Sequence, residues 1–355
     1  MAIESMRTEY DAHRTLLATE SFDGPAAGVL GLRKVLGEDG PERTHVAALE
    51  HLRTVTLKFK EAERIMECAG LDPAATTTPA ETGVRKAATL KFLRHLYLVG
   101  ERGSQQVWVL STPKKYTHYP LDELLTVKAS HASIRDRLAD VDEQFGTETR
   151  SRLCEAMALG LAWCEAAKFV LSSAKSDAAA MDKVKRWFAE GTTSVADLEK
   201  TIAALSAGFK KIAGSLNGNL VVITDMPSLR SDPKFEMTEA FMLSTGGKSQ
   251  MPRTIYIEKA LFENYDISVL HDMKKNWARV LVHECTHIDA RTADKRYAYR
   301  GLRPGTGLGA ADAAINADSW AFFAADCGGA LTDGDRLRAL DGTGGKLDKL
   351  AKNWN

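Results

Sequence analysis

The chain is predicted to be an α+β protein, predominantly helical, with a small sheet. Three observations lead there. Long stretches of its 355 residues repeat apolar side chains with helical spacing. Only three short runs, at 106–110, 220–224 and 254–257, are rich in the β-branched and aromatic residues that suit strands. One further segment, Ala278 to His287, carries an apolar run straight into His283-Glu284-Cys285-Thr286-His287.

Taken in order, residues 45–69 and 84–99 have helical apolar spacing, with Gly70 and Gly100 as stops. Between them, residues 71–83 hold Pro73, Pro79 and a threonine run, which predicts a loop. Residues 106–110 predict a short strand, and the amphipathic stretch 121–145 predicts a joining helix. Residues 147–176 are alanine-rich and predict a long helix, followed by helices over 178–189 and 195–216. The period then changes at the strands over 220–224 and 254–257. Residues 267–277 lead into the helix that carries the histidines, with Ser268 or Asp266 as its cap. Residues 311–323 predict one more helix, and the Gly- and Asp-rich stretch 328–355 predicts a loose end. The glycines of 305–309 follow no strand and lack the full dinucleotide spacing, so they predict a connection rather than a phosphate cradle. This gives three regions: a mostly helical region over 1–125, a domain over 126–335 that carries the histidine helix, and a tail over 336–355.

The five-residue HExxH pattern carries chemistry. On a helix, positions i and i+4 share a face, so His283 and His287 can grip one Zn²⁺. Glu284 then stands beside the ion as a general base. A catalytic zinc needs a third protein ligand and an open position. After His287 the chain has no further His and no Glu, so a ligand from that side is an aspartate. Asp289 is nearest but, two residues on, points to another side of the helix. Asp294 is far enough for the chain to turn back; Asp312 and Asp318 are more distant candidates, and an upstream ligand stays open.

HECTH followed by TADKRYAY resembles the aspzincin metallopeptidases, the group of deuterolysin and peptidyl-Lys metalloendopeptidase. That family pairs HExxH with a GTxDxxYG segment whose Asp is the third zinc ligand. Thr292, Asp294 and Tyr297 match it; Arg291 and Ala298 replace its two glycines. Asn316-Ala317-Asp318-Ser319-Trp320-Ala321-Phe322-Phe323-Ala324 is similar to the family's NADSYxYFA helix, and 184–188 and 254–257 are loosely similar too. The resemblance covers roughly residues 150–330. It implies a zincin-like domain, one catalytic Zn²⁺ on His283, His287 and Asp294, and Tyr297 as a donor to the oxyanion. It also implies substrate binding by Asp318, with Ala321 in place of the second carboxylate of Lys-specific relatives. The bias expected is therefore toward basic residues, without strict selection.

The expected activity is zinc-dependent endopeptidase action on a protein or peptide. A zinc amidase acting on cell wall or another non-protein amide, and a non-catalytic binding protein with a degenerate site, remain as alternatives. Zero formal net charge gives no global field for nucleic acid. The longest apolar stretch, 156–174, holds Glu165 and Lys168 and predicts a core helix, not a membrane span. Five cysteines with no CxxC pair predict free thiols, and Cys285 a buried packing residue. Met1 to Arg7 has no apolar leader. The expectation is a cytoplasmic enzyme, or one exported without a cleaved signal, such as a bacterial effector or toxin. His13, His45, His51, His95, His118 and His131 are scattered without ligand spacing and are expected to be packing or surface residues.

Overall fold

Alanine, leucine and unbranched polar side chains dominate the middle of the chain, and there the computed structural model is built from long helices. It describes residues 5–19, 69–71, 78–87, 89, 107–119, 130–138, 142–218, 221–243, 253–263 and 269–343. Among these the protein is mostly helical with one small four-stranded sheet, the α+β content predicted. The predicted helix at 45–69 up to residue 68, most of that at 84–99, and the tail beyond 343 lie outside the described residues. No helix among the described residues is long and apolar enough to cross a membrane. Cys154, Cys164, Cys285 and Cys327 are free thiols.

The chain divides into two compact units, each assembled from separate stretches. The first comprises Met1–Arg150, Asn219–Pro233 and Thr245–Tyr256. It holds helix α1 (Met6–Thr19), strand β1 (Val107–Val109), helix α2 (His131–Leu138) and strand β2 (Val221–Thr224). Strand β4 (Arg253–Ile257), up to Tyr256, completes this unit's part of the sheet, in the order β1-β2-β4, and the two-residue β3 (Ala240–Phe241) belongs to the second unit. β2 pairs in parallel with β1, Val221 opposite Val107, and with β4, Val221 opposite Arg253. Every residue of β1 and β2 is buried, as the continuous apolar runs of parallel strands require. The Met6 N–H donates to the Tyr256 hydroxyl at 3.0 Å, tying α1 to β4. Asp225, just past β2, accepts from Arg230 at 2.8 Å, and the same guanidinium donates to the Pro113 and Tyr116 carbonyls at 3.0 and 2.8 Å. One arginine thereby pins the loop after β1.

The second unit comprises Ser151–Gly218, Lys234–Ser244 and Ile257–Asn355. Its helices are α3 (Thr147–Ser173, from Ser151 on), α4 (Ala178–Phe188), α5 (Val195–Asn217), α6 (Lys259–Glu263) and α7 (Met273–Ala290). After these come α8 (Ala310–Ala313), α9 (Ala317–Cys327) and α10 (Asp333–Asp341). α9 is buried from Ala317 to Asp326 and forms the centre of the core. Phe209 of α5 meets Trp320 at 5.1 Å between ring centroids, and Phe188 of α4 meets Phe323 edge-on at 5.2 Å. α3 comes close to α7 because residue 160 is glycine: a Cβ there would lie 2.8 Å from Val282 Cγ2. At the end of α9, buried Asp326 accepts from Trp187 Nε1, Arg186 and Arg336 at 3.0, 2.8 and 3.0 Å.

Three expectations are corrected. The histidine helix begins at Met273, capped by Asp272, whose carboxylate accepts from the Lys275 N–H at 3.0 Å; Asp266 and Ser268 lie outside the described residues. The helix predicted over 311–323 is two helices, because Asn316 is extended between them (φ −90°, ψ 120°) with its side chain engaged elsewhere. The stretch after 328 is not loose throughout. Thr332 and Asp335 form a reciprocal capping box that starts α10.

Candidate active site

All the site residues named from the sequence lie in the second unit. α7 presents His283 and Glu284, each 5% exposed, and half-buried His287 one turn on. The helix ends at Arg291, which adopts the left-handed conformation at φ 59° and sends the chain back along α7. Two anchors hold this return. The Thr286 and Thr292 hydroxyls meet at 2.7 Å. Ala293 bonds the Ile315 carbonyl at 2.8 Å, and Asn316 Oδ1 accepts from the Lys295 and Arg296 N–H groups at 3.0 Å each. Asp294 sits between those anchors.

The result is a triangle of donor atoms. His283 Nε2 and His287 Nε2 are 3.1 Å apart, and Asp294 Oδ1 lies 3.0 Å from the first and 3.3 Å from the second. Two nitrogens and an oxygen tetrahedrally bound to zinc at about 2.0–2.1 Å stand roughly 3.3–3.4 Å apart, so the set fits that ion. The Glu284 carboxylate also lies near, 4.0 Å from His283 Nε2, farther out than Asp294.

The other ring nitrogens are held from behind. His287 Nδ1 lies 2.9 Å from the Thr292 carbonyl, which can only accept, so the proton sits on Nδ1 and Nε2 is free to ligate. His283 Nδ1 lies 2.8 Å from Asp318 Oδ1. Burial works against the His283 cation, but hydrogen bonds to Asp294 and Asp318 outweigh it and raise its pKa to about 10. Burial raises the Glu284 pKa, with Asp294 adding to the effect, while both imidazoles and Arg279 oppose it. Burial would likewise raise that of Asp294, but its imidazole neighbours hold it well below the carboxylate range. The Tyr297 ring is parallel to that of His283 within 9° at 6.2 Å, and 38% exposed. Burial and the charges of Asp294, Asp318 and Glu284 raise its phenol pKa, so it keeps its proton.

Asp318, expected from the resemblance to meet substrate, faces the protein interior in this structure. It is 2% exposed, its Oδ1 engages His283 and Arg279, and its Oδ2 accepts from the Ala298 N–H at 2.8 Å. The physical reason is its position in the first turn of the buried helix α9, facing α7 rather than solvent. Asp289 likewise turns away from the triangle and accepts from Ser215 at 3.0 Å.

Sequence reasoning missed Arg279, Asn276, Glu239 and Asn316. Arg279 carried a signal: four residues before His283, it lies on the same face of an otherwise apolar turn. Glu239, from a separate segment, carried none.

Residues 173–325 match the family model of the aspzincins of group M35, described as lysine-specific metallo-endopeptidase. This segment belongs to the aspzincin family. No curated protein matches the chain significantly. The aspzincin segment spans the donor triangle, Glu284, Tyr297 and Asp318. Aspzincins are zinc-dependent metalloendopeptidases, hydrolases that act on proteins and peptides.

Proposed function

We propose that the protein is a zinc-dependent endopeptidase with His283, His287 and Asp294 as ligands and Glu284 as general base. The observation that carries this is the donor triangle of 3.0–3.3 Å with a buried carboxylate just outside it. Held there, zinc would lower the pKa of a water and polarise the scissile carbonyl. Asp318 and the Thr292 carbonyl hold both Nδ1 atoms, which leaves both Nε2 atoms in the donor triangle where they would hold a zinc ion. Glu284, made more basic by burial, takes the proton of the attacking water and returns it to the leaving amine. Tyr297 retains its phenol proton and donates it in a hydrogen bond to the developing oxyanion.

The substrate in this reading is an extended peptide laid along β3, a two-residue strand of the second unit. Glu239, one residue before β3, bonds α7 through Arg279, which keeps that strand near the base of the site. A basic preference through Asp318 is no part of the proposal, since both its oxygens are engaged inside the protein. The test is Glu284→Gln. The variant should bind one zinc per chain like wild type and lose about 10²- to 10⁴-fold in peptide hydrolysis. Wild-type turnover in that variant would overturn the mechanism, and a wild-type protein that cuts only cell-wall amides would replace the substrate class.

A further inference from the structure

Behind His283 and Asp318 lies a polar cluster that takes no part in the proposed proton transfers. Arg279, one turn earlier on α7, is 6% exposed. Its Nη2 donates to Glu239 Oε2 at 2.6 Å and to Asn276 Oδ1 at 2.8 Å. Its Nη1 reaches Asp318 Oδ1 at 3.4 Å, and its Nε donates to Asn276 Oδ1 at 3.2 Å. Asn276 closes the ring by donating from Nδ2 to Glu239 Oε1 at 3.0 Å. A guanidinium this buried is tolerated only with charged partners, and Arg279 has two, Glu239 and Asp318.

The arrangement has a geometric consequence. A carboxylate that orients a ligand imidazole must itself be fixed, or the ring turns with it. The backbone N–H of Ala298 fixes Oδ2 of Asp318, but Oδ1, the atom facing His283 Nδ1, is held from the other side by Arg279 alone among the described residues. Arg279 is in turn clamped by Glu239 and Asn276, so its planar fork cannot swing. Through Ala298 the same Asp318 also holds the residue that follows Tyr297.

We infer that Arg279, clamped by Glu239, is a positioning residue of the metal centre: it sets Asp318, and through Asp318 the His283 ring and the Tyr297 loop. This rests on the metal-site reading above. A purely structural ion pair would hold residue 239 and β3 to α7, affecting folding stability and substrate placement but not zinc affinity. The positioning role also affects how tightly the ligands grip the ion.

The experiment is chelator-competition titration of zinc on full-length wild type, Arg279→Lys and Glu239→Gln, with metal-free thermal melts and steady-state kinetics alongside. Lysine keeps the charge but loses the fork. The expected result is a zinc affinity about 10-fold or more weaker in Arg279→Lys, and several-fold weaker in Glu239→Gln. kcat should fall as well, and zinc affinity is the readout that a merely structural role would not move. Wild-type zinc affinity in folded variants, even with lowered melting temperatures, would overturn the inference. If Arg279→Lys does not fold, unchanged affinity in Glu239→Gln alone overturns it. Wild type that binds no zinc would instead remove the metal site, and this inference with it.

Discussion

His283 Nδ1 and Asp318 Oδ1 lie 2.8 Å apart in the core of the second unit. This pair separates two roles for Asp318. A carboxylate that reads substrate must meet solvent, and this one meets an imidazole, a guanidinium and a backbone amide. Asp318→Asn should therefore weaken zinc binding about 10- to 100-fold and leave the cleavage-site profile unchanged. Titration against a chelator and a shared peptide library measure both. A changed profile with intact zinc affinity would return Asp318 to the substrate pocket.

Asp294 and Asp289 offer a sharper contrast, because they lie five residues apart and face different ways. Asp294 stands 3.0 and 3.3 Å from the two Nε2 atoms, whereas Asp289 accepts from Ser215. Asp294→Ala should lower zinc affinity more than Asp318→Asn does, since it removes a ligand rather than a support. Asp289→Ala should leave affinity at the wild-type level. Equal zinc content in all three proteins, measured by metal analysis after dialysis, would mean that the third ligand lies elsewhere.

What could be read in the sequence followed local spacing. His283, Glu284 and His287 are set by one helical turn, and Asp294 and Tyr297 by the short return from it, so their meeting needs no knowledge of the rest of the fold. The strands at 107–109, 221–224 and 253–257 were legible as apolar β-branched runs, and the long helices as alanine-rich stretches. β3, two residues long, has no periodicity to detect. Asn316 lay in a readable block, but its side chain serves the Lys295 and Arg296 amides about 20 residues away, and that diversion splits a helix which apolar spacing joins. The role of Asp318 depends on Arg279, 39 residues away, and Arg279 on Glu239, 40 residues away. No local pattern carries such a contact.

Tyr297 is the residue whose loss should spare binding and damage chemistry. Its ring lies parallel to that of His283, and its phenol keeps its proton. Tyr297→Phe removes the donor while preserving the ring. kcat should fall about 10²- to 10³-fold, the usual cost of one oxyanion donor, with zinc affinity within a factor of about two. A drop in zinc affinity as large as the drop in kcat would mark Tyr297 as a support for the ligands.

Packing in the aspzincin segment makes a separate prediction at Gly208. A Cβ there would lie 2.4 Å from Trp320 Cζ3 and Cη2 and 3.0 Å from Ala290 Cβ, at the meeting of α5, α9 and α7. Alanine is worth about 1 kcal/mol over glycine in a helix. Forcing a methyl into a packed core costs about 1–3 kcal/mol, and the Trp320 ring has little room to yield. Gly208→Ala should lower the melting temperature despite its better helix propensity. A higher melting temperature would show that Trp320 shifts freely, which would also move the helix bearing Asp318.

His13 gives the first unit a pH dependence of defined sign. It is fully buried on α1, with Nδ1 3.3 Å from the Thr89 hydroxyl and Nε2 3.4 Å from Glu9. Burial lowers its pKa from 6.5 to about 3. In the folded protein it is therefore neutral where the unfolded chain takes up a proton. Below pH 6.5 the unfolded state binds more protons, so stability falls as pH drops and continues to fall until about pH 3. His13→Gln cannot take up that proton in either state. Carboxylates such as Asp326, whose pKa is lowered by Trp187 and Arg336 against the effect of burial, destabilise both proteins alike as pH falls. The informative quantity is therefore the difference between the two melting curves across pH 7.5 to 4. Wild type should lose stability more steeply than His13→Gln over that range, and parallel curves would mean that His13 is protonated in the folded protein after all.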